Sequence, residues 1–249
     1  MELPIFYAPP ECRHGDIILL PDSESHHAVT VMRLSQADSL IVIDGLGSAY
    51  QGEIARIVGR KIVEVRIHSE IRNLGEPAVL LTLAAGISTG FKFDTVVEKC
   101  TELGAKRFVP IISKKSKVKL DDPKKAAART RRLERVALAT IKQCRRSYRP
   151  DISLPTSFEE FIREADRESL KLIFHPDDES GSLDSLPLTS KVKRVTLRVG
   201  PESGFTPEEV AKAVAAGFIS ISLGSRILRS ETAGPTVCSL IMHILGELR

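Results

Sequence analysis

Two stretches near the N-terminus, EIARIV (53–58) and VEVRIH (63–68), alternate apolar and polar residues. A two-residue period puts every second side chain on one face, the pattern of a half-buried strand. GDIILL (15–20) and SLIVID (39–44) are β-rich as well, and turn residues such as Asp44-Gly45 separate the runs. Only SHHAVTVMRL (25–34) has helical spacing in this part of the chain. Short strands at this spacing predict a small β-barrel over residues 1–72. The Asn, Gly and Pro of IRNLGEP (71–77) predict a linker.

Beyond Pro77 the texture changes. AVLLTLAAGI (78–87) is apolar almost without interruption, as expected of a strand covered on both faces. In KFDTVVEKCTELG, Phe93, Val96, Val97, Cys100 and Leu103 recur at helical spacing, and Gly104 is a natural stop. RFVPII (107–112), LKLIFH (170–175), RVTLRV (194–199) and ISISLG (219–224) predict further strands. A long helix is predicted over 121–146, with Asp122 as cap, Pro123 in the first turn and Leu133, Val136, Ala137 and Ile141 on its buried face. TPEE (206–209) is a capping box, and 231–248 closes the chain as a helix. Strand and helix alternate, so residues 73–249 are predicted to form an α/β domain with a mostly parallel sheet.

Two of the strand-to-helix junctions carry glycine: RVGPESGFTPEEV (198–210) and ISLGSRILRSETAG (221–234). In open α/β sheets, ligands sit beyond the carboxyl ends of the strands, and glycine there lets the backbone approach a ligand closely. GPESG lacks the pattern of a phosphate-binding P-loop, and no G-x-G-x-x-G follows the first strand of this half. Two such loops close in sequence, one carrying Arg226 and Arg229, point to a site rather than to plain turns.

Charge sharpens the picture. The chain carries +4, but Lys106–Arg149 alone holds 16 Lys/Arg against 3 Asp/Glu, leaving the remainder at −9. Positive charge gathered in one segment of an otherwise acidic chain is suited to a polyanion. Lys114, Lys115, Lys117, Arg131, Arg132 and Arg146 are the candidate nucleic-acid contacts there, with His27 and Arg33 in the N-terminal part. Aromatics are only 5% of the chain and Trp is absent, which argues against aromatic base-stacking platforms. Cys12, Cys100, Cys144 and Cys238 are scattered, a pattern of free thiols in a reducing compartment and not of zinc or disulfides. No stretch approaches the roughly 20 apolar residues that span a bilayer. A cytoplasmic protein without membrane attachment is expected.

RVGPESGFTPEE and SLGSRILRSETA together resemble the RsmE family of ribosomal RNA methyltransferases, within the SPOUT superfamily. FDTVVEKCTELGAKRFVPIIS, IKQCRRSYRP, HHAVTVMRL and IDGLGSAYQGEI extend the resemblance over nearly the whole chain. There are departures: Ser203 stands where the family usually has a second glycine, Lys115 where an arginine is usual, and Ile5 and Phe6 near the first strand where an arginine is common.

The resemblance implies a trefoil-knotted SPOUT domain preceded by a PUA-like β-barrel for RNA docking, and a homodimer whose site lies near the interface. It implies S-adenosylmethionine cupped by the knot loops. Backbone groups of Gly200, Leu223, Gly224 and Leu228 would read the adenine edge, and Leu223, Ile227 and Leu228 would wall its faces. His175, Glu202 and Gly204 would complete the pocket. The implied reaction is methylation of N3 of a uridine in the decoding region of 16S ribosomal RNA on the small subunit. Losing the N3 proton spreads negative charge onto the flanking carbonyl oxygens, which a preorganised cation would stabilise. Arg229 is the candidate, with Arg226 second; Glu202, Glu231 or solvent would be the base. Two rival readings are a SPOUT enzyme methylating ribose 2′-OH of ribosomal or transfer RNA, and a noncatalytic RNA-binding assembly protein.

Overall fold

The computed structural model describes residues 2–59, 62–88, 90–112, 122–166, 168–176, 180–183, 186 and 192–248. The chain forms two compact units: Met1–Glu76 with Leu138–Arg149, and Pro77–Ala137 with Pro150–Arg249. A single boundary at 72/73 was expected; instead the chain returns to the first unit for twelve residues. The reason is packing: Ile141 is buried with Ile41, Ile43 and Ala49, and Leu138 adds to that cluster.

The first unit is built on a six-stranded sheet. Its strands are β1 (Ile5–Tyr7), β2 (Arg13–His14), β3 (Ile17–Leu19), β4 (Ser39–Ile43), β5 (Ser48–Val58) and β6 (Ile62–Arg72), in the order β1-β4-β5-β6-β3-β2. Only β1 and β4 run parallel. The alternation seen in the sequence is used as predicted: Ile54, Val63 and Val65 turn inward to Phe6, Ile18, Leu40 and Val42. A short helix, α1 (Asp22–His26), lies in the segment predicted helical and continues as a wider turn over His27–Val31.

The second unit is a seven-stranded sheet in which every pairing is parallel. Its elements in chain order are β7 (Leu80–Gly86), α2 (Lys92–Glu102), β8 (Arg107–Ile112), α3 (Pro123–Gln143, which passes into the first unit at Leu138), β9 (Asp151–Ile152), β10 (Thr156–Ser157), α4 (Phe158–Glu164), β11 (Leu170–Phe174), β12 (Arg194–Val199), α5 (Pro207–Ala215), β13 (Ile219–Ile221) and α6 (Ser230–Ile244). The strand order is β10-β8-β7-β12-β11-β13, with β9 also on β8. One face of the sheet buries Leu81, Leu83, Leu172 and Leu197 against Val96, Val97, Cys238 and Ile241 of α2 and α6. The other buries Ala84, Val109 and Ile173 against Phe158, Phe161 and Ala213 of α4 and α5. Both faces are covered, which is why AVLLTLAAGI shows no alternation. The predicted caps form as expected: Asp122 accepts from the Lys124 N–H at 2.9 Å, and Thr206 and Glu209 make a reciprocal capping box. No element is predicted over 150–166, and β9, β10 and α4 lie there. Among the described residues, no helix is long and apolar enough to cross a membrane.

Candidate methyl-transfer site

The carboxyl ends of β11, β12 and β13 and the first turn of α6 enclose a cleft that is partly open to solvent. All eight residues predicted to bind the cofactor line it: His175, Gly200, Glu202, Gly204, Leu223, Gly224, Ile227 and Leu228. They come from three separate chain segments, and the parallel order β12-β11-β13 brings those segments side by side. Phe174, Val199 and Phe205 supply further apolar wall. Ile227 is 86% exposed at the rim. The Nδ1 of His175 is buried with no hydrogen-bond partner among the described residues, so the cleft holds a polar atom still to be satisfied.

Two glycines shape the cleft for different reasons. Gly224 has φ +93°, a conformation that side chains rarely adopt, and a Cβ there would meet nothing within 4 Å. Gly86, at the end of β7, is required by crowding. A Cβ on it would lie 2.4 Å from the Pro201 nitrogen and 2.8 Å from its Cα, so the 200–204 loop rests directly on this glycine. Gly86 was not singled out from the sequence, because its neighbour lies 115 positions away.

The charged groups form a small network at the rim. Lys92, at the start of α2, hydrogen-bonds the Glu202 carboxylate. That bond, and the nearby charge of Glu231, hold the Lys92 ammonium above its usual value. The Glu231 carboxyl is held below the usual carboxylate range, first by its own backbone N–H, then by the Ser230 hydroxyl and the charges of Lys92 and Arg229. Arg226 lines the cleft and is exposed. Arg229 is the N-cap residue of α6, with the N–H groups of Thr232 and Ala233 donating to its carbonyl at 2.9 and 2.7 Å. Its side chain is exposed beside the cleft rather than part of the lining.

One buried cation supports the cleft from below. Arg198 of β12 is fully buried among Phe205, Phe158 and Phe161, with ring centroids 4.8, 5.4 and 5.9 Å from its guanidinium carbon. Its Nη1 donates to the Val199 carbonyl at 2.8 Å, just before Gly200, while Nε and Nη2 have no hydrogen-bond partner among the described residues. Burial lowers its pKa to about 9, with Glu209 opposing. Phe205 in turn meets the His175 ring edge-on at 6.2 Å.

The predicted RNA contacts divide. Arg131 and Arg33 are exposed. Arg132 is half-buried, with Nε donating to Asp94 at 2.8 Å. His27 is half-buried with its ring edge-on to Phe6 at 5.8 Å, a packing contact within the first unit. Arg146 corrects the sequence reading. It is 2% exposed and makes a two-point ion pair with Glu76, at 2.9 Å from Nη2 and 3.2 Å from Nε. A guanidinium sealed by a carboxylate in the core does not present itself to RNA. Lys114, Lys115 and Lys117 lie outside the described residues.

Known proteins share this arrangement. The pattern of an RNA methyltransferase domain matches residues 75–242, and that of an RNA methyltransferase PUA domain matches residues 20–67. Ribosomal RNA small subunit methyltransferase E of Bacillus subtilis is 30% identical over 231 residues, covering 91% of this chain and 90% of that one. A methyltransferase from Legionella pneumophila, solved with bound cofactor SAM, superposes with a TM-score of 0.87 at 32% identity, covering 98% of both chains. Ribosomal RNA small subunit methyltransferase E from Neisseria gonorrhoeae, bound to S-adenosyl methionine, gives the same TM-score and coverage at 27% identity. With both domains matched and the glycine loops gathered into one cleft, the chain belongs to the RsmE family of RNA methyltransferases, a PUA-like domain followed by a SPOUT-type α/β domain.

Proposed function

We propose that this protein methylates N3 of a uridine in the RNA of the small ribosomal subunit, with S-adenosylmethionine as donor. The observation that carries the reading is the convergence of Gly200, Leu223, Gly224 and Leu228 with His175 in one cleft at the carboxyl edge of the sheet. Its apolar walls, close-lying glycine backbone and the His175 Nδ1, which has no partner among the described residues, fit an adenosine moiety. The cofactor, when bound, supplies an electrophilic methyl on a sulfonium. The protein's part is electrostatic. In this reading Arg229, with Arg226, stabilises the negative charge that develops on the uracil carbonyl oxygens as the N3 proton departs, a role for preorganised cations. Protonated arginine has no acceptor, so neither is the base. Glu231 is held ionised by its neighbours, which makes it a weak base, and the Glu202 carboxylate is engaged by Lys92; solvent is the proton acceptor in this reading.

The same reading includes docking of RNA by the first unit, the trefoil threading of the cleft loops, and a homodimer, for which the exposed Leu240 and Ile244 of α6 offer an apolar contact. The test is to incubate the protein with small-subunit RNA and the labelled cofactor, then digest the RNA to nucleosides. N3-methyluridine is the expected product. A ribose-methylated nucleoside would move the protein to the 2′-OH reading, and absence of cofactor binding by calorimetry would reduce it to an RNA-binding protein.

A further inference from the structure

Eight of the nine phenylalanines are buried; Phe91 is 73% exposed. Its placement is specific. It precedes α2, and its carbonyl accepts from the Asp94 N–H at 3.0 Å. The guanidinium carbon of Arg132 lies 4.1 Å from its ring centroid, covering one face. Arg132 is itself fixed, because Nε and Nη2 both donate to Asp94 Oδ2. Asp94 thus neutralises Arg132 and leaves it as a flat backing plate more than a free phosphate contact. The next residue, Lys92, is bonded to Glu202 on the wall of the cleft. An exposed, cation-backed ring therefore stands at the edge of the candidate site.

We propose that Phe91, backed by Arg132, is the stacking platform for a nucleobase of the RNA substrate adjacent to the base being methylated. This rests on the RNA-methylation reading above. Every base has a π-face, and stacking on an aromatic ring contributes to single-strand binding without sequence readout. A guanidinium behind the ring holds it in place and adds a cation–π contact. The low aromatic content of the chain argued against such platforms, but one well-placed ring suffices for one base.

The experiment compares wild type with Phe91→Ala, Phe91→Leu and Phe91→Tyr. It reads small-subunit RNA affinity by filter binding, methylation at limiting and saturating RNA, cofactor affinity by calorimetry, and association state by sedimentation. Phe91→Ala is expected to weaken RNA binding by roughly 5- to 150-fold, with cofactor affinity and association state unchanged. The loss in methylation should be largest at limiting RNA. Phe91→Tyr, which keeps the π-face, should bind like wild type, and Phe91→Leu, which keeps apolar bulk alone, should follow Ala. Unchanged RNA affinity in Phe91→Ala, or a Leu variant equal to wild type, overturns the platform while wild-type methylation still upholds the broader reading. A loss that tracks dissociation of the protein in sedimentation overturns it in favour of a contact between two copies. Wild type that neither binds nor methylates the RNA removes both.

Discussion

Arg229 carries its charge on an exposed side chain at the start of α6, next to Glu231 and across from Lys92. Nothing in the core depends on it, so Arg229→Ala should leave thermal stability nearly unchanged. If it stabilises charge that develops only in the transition state, single-turnover methylation with saturating RNA and cofactor should fall by about 100- to 1,000-fold. Arg229→Lys should recover part of this, lacking the planar fork. Raising the pH should partly rescue Arg229→Ala, because more N3 is then already ionised. Arg198 behaves oppositely: its charge costs stability. Its folded value of about 9 lies well below that of an arginine in the unfolded chain. Between those values the unfolded chain binds more protons, so stability falls as pH rises above 9. Arg198→Met should equal or exceed wild type in denaturant midpoint at pH 7, consistent with hydrophobic replacement of buried charge. Any gap in its favour should widen by pH 10. A clear loss of stability at pH 7 would show that the contacts with the three rings and the Val199 carbonyl outweigh the burial.

Among the elements, the contact between β7 and the 200–204 loop is the tightest constraint on the cleft. Gly86→Ala places a methyl against Pro201 backbone, which cannot rotate away as a side chain would. Overpacking of this kind costs about 1–3 kcal/mol. If the loop yields, cofactor affinity should drop roughly 5- to 150-fold by calorimetry, with far-UV circular dichroism unchanged. What the sequence revealed and what it concealed follow from range. The caps at Asp122 and Thr206 and the helical face of α2 rest on neighbours within a few positions, so the pattern exposed them. The cleft was legible for a related reason: its glycines sit directly after strand-like runs. Gly86, Lys92 and Arg146 depend on Pro201, Glu202 and Glu76, which are distant in the chain. Arg146 was expected to contact RNA, and nothing local in QCRRSYRP tells it from the exposed arginines. The strands β9 and β10 have two residues each, too few to establish a period.

For the molecule as a whole, positive charge should govern RNA affinity. Lys124, Arg131 and Arg135 are exposed on α3 at spacings of seven and four, which places them on one helical stripe. Replacing all three by Gln should make log affinity fall less steeply with log salt, by about 2–3 in slope. An unchanged slope in filter binding would return the stripe to ordinary solvation. The return of Leu138–Arg149 to the first unit has a consequence for inheritance. Residues 1–76 are not a cassette that recombination can exchange freely. A crossover anywhere between 77 and 137 takes Glu76 and Arg146 from different parents, and where one parent lacks its half of the pair the other charge is left buried alone, at a cost of about 3–5 kcal/mol. Ile141 would likewise meet a foreign Ile41, Ile43 and Ala49. Viable hybrids of relatives should therefore be double crossovers that move 1–76 and 138–149 together, and the two segments should drift as a single lineage although residues 77–137 of the other unit separate them.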